Sequence, residues 1–125
     1  MQVERFVLLC NFIIADPTDG CDLNSNQLFL TGQGDVLYNS NSDIAGFQFN
    51  VTGTTASGAS GGAAAEAGFT VSAGGSTVLG FSFTGATIPA GCGTLTSLSI
   101  DGEATGLDPI IVSDSSGNQL DFSYY

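Results

Sequence analysis

The chain contains no histidine, no lysine and no tryptophan, and Arg5 is its only basic residue. Without histidine, Ser–His–Asp and Cys–His nucleophilic systems lose their base, and imidazole-ligated zinc is excluded. Without lysine, no intramolecular Lys–Asn crosslink can form. Twelve acids against one base leave a formal net charge of −11. Such a chain repels phosphate backbones and anionic bilayer surfaces, so neither nucleic acid nor membrane is an expected partner. No apolar run approaches the roughly 18 residues of a membrane span. Charged residues make up only 10% of the chain and apolar residues 42%, which is too hydrophobic for a disordered acidic tail. A carboxylate pair of the glycosidase kind remains formally available, but no pattern singles one out. The expectation is a non-enzymatic protein with no cofactor.

At 125 residues the chain has the size of one domain. Short bursts of Phe, Val, Ile, Thr and Tyr alternate with Gly, Ser, Asn and Asp, the texture of an all-β domain. The clearest stretch runs from Asp43 to Val51. Phe47, Phe49 and Val51 share one parity, and Gly46, Gln48 and Asn50 the other, so this is a half-buried strand. Segments 27–31 and 35–38 read as two strands joined by Gly32-Gln33-Gly34. Residues 53–68, GTTASGASGGAAAEAG, read as a low-complexity loop crossing within the domain, with one helical turn at Ala63–Ala67. Segments 69–73 and 77–84 form a hairpin around Gly74-Gly75-Ser76. In the latter, Val78 shares parity with Gly80, whereas Phe81 and Phe83 lie on the other side. That pattern predicts a bulge or a change of burial near Gly80.

Further on, residues 86–93 form a Pro–Gly loop and 94–100 a strand. A strand over 109–113 has Pro109 at its start. Residues 119–125 form a last strand with Leu120, Phe122 and Tyr124 facing the core. Counting a strand within residues 1–15, the total is about nine, as in a β-sandwich or jelly roll. Residues 1–22 are expected to be an N-terminal strand or assembly arm plus an acidic loop, and residues 23–125 the sandwich.

Residues 1–15 are too polar for a good export signal, because Glu4 offsets Arg5 and Asn11 interrupts the apolar run. Val3, Phe6, Leu8 and Cys10 are the candidate contacts of an edge strand in the chain's own sheet or of an arm laid on a neighbouring subunit. Asp16, Asp19 and Asp22 cluster oxygen ligands in a loop and form a weak calcium candidate, against the simpler reading of solvated turn residues. Asn50-Val51-Thr52 matches a glycosylation sequon, but within a strand it reads as accidental. Of three cysteines, Cys21 and Cys92 both sit at strand ends and are the favoured disulfide pair. Cys10 is then a buried thiol or an intersubunit link.

From Asp35 to Tyr125 the chain resembles cohesin-like β-sandwich modules. The resemblance is carried by GFQFNV (46–51), IPAGCGTLTSLSI (88–100) and GLDPIIVSDSSGN (106–118). The run AGFTVSAGGSTVLGFSFTGATIPAGCGTL (67–95) also resembles a marine group of surface and virion-associated modules. The resemblance implies a nine-stranded jelly roll used for protein–protein attachment without catalysis. A short chain with its own initiating Met and no export signal is expected to be a virion surface component, such as a phage capsid decoration or fibre module. It would bind other copies of itself or another structural protein. The alternative is a secreted cell-surface adhesion or scaffold module. A carbohydrate-binding sandwich ranks last, since the chain has no Trp and only three Tyr.

Overall fold

The computed structural model describes residues 16–125. Two five-stranded sheets face each other across one core. The first has the order β10-β1-β2-β7-β4, built from Ser123–Tyr124, Gln27–Leu30, Asp35–Ser40, Gly91–Ile100 and Ala56–Ser60. The second has the order β5-β6-β3-β8-β9, built from Thr70–Gly74, Thr77–Phe81, Gly46–Thr52, Gly106–Ser113 and Gln119–Leu120. All pairings are antiparallel except β1 with β10. The all-β sandwich expected from the sequence is present, with ten strands among the described residues rather than nine.

The organising strand lies where its pattern puts it. β3 is the centre of the second sheet, and Phe47, Phe49 and Val51 are buried against the first. The Phe47 ring stacks on Phe49 and on Phe69 at centroid distances of 5.9 and 6.2 Å. Leu28, Leu30, Val36 and Tyr38 close the core from the first sheet. Each fully buried side chain of this size contributes about 1.5–3 kcal/mol of transfer free energy.

Four local expectations are corrected. Residues 53–68 are not a plain loop. Ala56–Ser60 forms β4 on the edge of β7, and α1 (Gly62–Glu66) then carries the chain to the second sheet. Small side chains give no periodic signal, so only the partner strand reveals β4. Of the two alternatives at Gly80, the bulge does not occur, because β6 keeps register with β3 from Thr77 through Phe81, while the buried–exposed alternation does end there. Gly80 instead leaves room for the Phe47 ring, which a Cβ at that position would overlap. Pro109 is the fourth residue of β8 and not its first. The β3–β8 register shifts between Phe49 and Val51, opposite the proline, where a missing N–H breaks the ladder. Finally, residues 119–125 are not one strand. Leu120 pairs with Val112 in the second sheet, whereas Ser123 and Tyr124 pair with Gln27 and Leu28 in the first. Phe122 is buried where the chain crosses between the sheets.

Candidate functional site

The outer face of the second sheet carries the most prominent unsatisfied apolar surface among the described residues. The β3 register aligns Ile111, Gln48 and Leu79 in one row, and Ser113, Gly46 and Phe81 in the next. Outward parity therefore belongs to Leu79, Phe81 and Ile111, while Val78 and Val112 point into the core. Leu79 is 40% exposed and Ile111 43%. Phe83, just beyond β6, is 82% exposed and meets Phe81 edge to face at 4.9 Å. Gly46 lacks a side chain between its two neighbours, which leaves a shallow groove of about 320 Å³ bounded by Gln48, Leu79, Phe81 and Ile111. The centre of the face contains no charged residue. Asp43 precedes β3, Asp114 follows β8, and Asp108 lies within β8. An apolar, uncharged centre on an exposed sheet face has the anatomy of a protein-docking surface.

The sequence held a sign of this face. Leu79, Phe81 and Phe83 share one parity, but the bulkier face of a strand is ordinarily its buried one. Here the inward face is Val78 and Gly80, because Phe47 fills the volume over Gly80.

Cys21 and Cys92 are joined by a disulfide with Cα atoms 4.9 Å apart and 71 residues of separation. The bridge fastens a 3-10 turn at Gly20–Asp22 to the first strand residues of β7. Gly20 is buried there, and a Cβ on it would overlap the backbone of Tyr38 and Gly93. The three acids proposed for calcium do not gather. Asp19 Oδ1 accepts a hydrogen bond from the Cys21 N–H at 2.9 Å and so caps the 3-10 turn. The charge of Asp16 acts on the Tyr124 phenol, raising its pKa. Among the described residues no three His, Cys, Asp or Glu side chains are placed to share a metal ion. Asp16, Asp19 and Asp22, the calcium candidates, are thus not brought together as one set of carboxylates, and Asp19 serves as a cap. Val3, Phe6, Leu8 and Cys10 lie outside the described residues.

Two of the further concavities among the described residues involve a tyrosine. One, of about 520 Å³, lies between α1 and the Pro89–Cys92 segment and is bordered by Tyr38 and Glu66. The Tyr38 phenol is raised above its ordinary value by burial first and by the Glu66 carboxylate second, so it is a poorer acid than a free phenol. The other, of about 630 Å³, lies between β8 and the β10 segment and is lined by Gly106–Ile110, Phe122 and Tyr124. Tyr124 accepts a hydrogen bond from the Leu30 N–H at 3.2 Å. Its pKa is raised by burial, lowered by that bond and raised by Asp16.

No family model, curated protein or solved structure matches this chain. The outer face of the second sheet is thus read from its own chemistry.

Proposed function

We propose that this protein is a non-enzymatic attachment module that docks another structural protein on the outer face of β8-β3-β6. The supporting observation is the exposure of Leu79 and Ile111 around a groove floored by Gly46, with exposed Phe83 packed edge to face on Phe81 beside it. Burying such side chains on a partner contributes about 25 cal/mol per Å² of apolar area. The occupant follows from charge. With a net charge of −11, two copies of the chain repel each other, while a partner with an apolar centre and a Lys/Arg rim is attracted. The resemblance to virion-associated modules supplies the favoured setting, a coat or fibre protein of a virus particle.

The test pans a displayed random-peptide library on the intact chain. Enriched peptides should carry an aromatic or aliphatic centre flanked by Lys or Arg. They should bind more weakly as salt rises, and lose binding to the variant carrying Leu79→Ser, Phe83→Ser and Ile111→Ser. Peptides that bind this variant equally well, or that have no basic flanks, would overturn the assignment. So would concentration-dependent dimerisation through the same face, seen by sedimentation, which would make a second copy the occupant.

A further inference from the structure

The groove on the docking face has a shape that suits one kind of side chain. Ile111, Gln48 and Leu79 stand side by side in one row, and Ser113, Gly46 and Phe81 in the next. The second row is bulky only at Phe81. Gly46 and Ser113 together make a shelf, and Phe81 and Ser113 are two strand spacings apart, roughly 10 Å. The row of Gln48 and Ile111 borders the shelf about 7 Å further along the strands. The floor is backbone: a Cβ built on Gly46 would lie 3.2 Å from Ser113 Oγ and 3.5 Å from the Gly80 carbonyl oxygen. Gly46 is paired on both sides, yet its backbone lies outside the left-handed region, so the fold does not demand glycine there. A glycine in a sheet without that demand marks a place where something approaches the backbone closely.

The walls add chemistry to the shape. The Phe81 ring, which Phe83 meets edge to face at 4.9 Å, is an aromatic wall on one side. Ile111 is an apolar corner, and the exposed Gln48 offers an amide oxygen. The Ser113 hydroxyl donates to the Gly46 carbonyl at 3.4 Å, so its oxygen keeps its lone pairs for an incoming donor. An aliphatic side chain would fill such a slot but would leave both acceptors without a donor. A flat ring covers the peptide floor, presents its edge to Phe81, and can carry the missing N–H or O–H. We infer that the partner seats a single tryptophan or tyrosine side chain on Gly46, with its indole N–H or phenol O–H donated to the Ser113 hydroxyl or the Gln48 amide oxygen. This inference rests on the docking assignment above, and it makes Gly46 the specificity-determining residue of that face.

The experiment uses the displayed peptides enriched on the intact chain. Peptides that fail to bind the variant carrying Leu79→Ser, Phe83→Ser and Ile111→Ser are those that use the face. Each of these should contain a tryptophan or tyrosine whose replacement by leucine weakens binding by about tenfold or more. Gly46→Val, which fills the slot with a good strand former, should weaken the same peptides by about tenfold or more. Circular dichroism shows whether that variant is folded, and if it is not, the leucine replacements in the peptides decide alone. Peptides that use the face but lack both aromatic residues, tolerate leucine, or bind folded Gly46→Val undiminished would overturn the anchor and leave the docking assignment standing. An absence of enriched peptides, or enrichment only of peptides indifferent to the serine variant, would overturn both.

Discussion

Gly80→Ala is expected to destabilise the fold through a single contact. Gly80 has no left-handed backbone requirement, so alanine is conformationally acceptable there. Fewer unfolded conformations would by themselves stabilise by about 0.4–1 kcal/mol. The added Cβ, however, overlaps Cζ and Cε2 of Phe47 and lies 2.8 Å from its Cε1. The ring cannot move aside easily, because Phe49 and Phe69 stack on it and only 3% of Phe47 is exposed. Overpacking of this kind costs about 1–3 kcal/mol, so the net loss should be about 1–2 kcal/mol, or roughly 4–8 °C in Tm for a domain of this size. Urea unfolding followed by circular dichroism measures it. Phe47→Leu on its own should also destabilise, by opening a void. In the double variant the two should partly cancel, giving a favourable coupling of about 1 kcal/mol in a double-mutant cycle. A Gly80→Ala protein as stable as the parent, or strict additivity with Phe47→Leu, would refute the packing of Phe47 over Gly80.

Other expectations are open to direct measurement. Reducing the Cys21–Cys92 bridge, which spans 71 residues, should lower stability by about 4 kcal/mol, read as a shift in urea midpoint with and without dithiothreitol. Burial raises the Tyr38 and Tyr124 phenols above the ordinary value of about 10 in the folded protein. Their phenols are therefore neutral in both states below about pH 10, and above it the unfolded chain loses the proton first. Stability should hold up to about pH 10 and fall as pH rises further, with phenolate absorbance at 295 nm appearing late in the folded protein. Phe83→Ser should change stability by no more than about 0.5 kcal/mol, because that side chain is 82% exposed, whereas Ile111→Ser, at a side chain only 43% exposed, should cost more, about 1 kcal/mol. A large loss at Phe83 would place that side chain in the core.

Legibility followed the size of the side chains. β3 could be read residue by residue because Phe47, Phe49 and Val51 alternate with Gly46, Gln48 and Asn50, and the sheet buries that set as written. β4 was invisible, since alanine, serine and glycine carry no period and the strand is specified by the edge of β7. β6 was legible as a strand but not in its facing. The parity with three large apolar residues turned outward, because a neighbouring phenylalanine occupies the space that Gly80 leaves. The C-terminal segment alternated correctly at Leu120, Phe122 and Tyr124, yet period alone cannot show that a chain leaves one sheet at Phe122 and joins the other at Ser123. The cysteines at strand ends pointed to the pair the structure joins, whereas acids spaced by three did not converge, one being used as a cap. The docking face emerges only with the two sheets assembled, because exposure is a property of the register and not of any one strand.

The most direct test of the docking assignment is an NMR footprint. An enriched basic-flanked peptide would be titrated into the isotope-labelled full chain while backbone shifts are followed. The expected result is a continuous set of perturbed residues across Gln48, Leu79, Phe81 and Ile111, extending to Phe83. Perturbations confined to the hollow beside Tyr38 and Glu66, or to the β8 edge at Ile110, would contradict it.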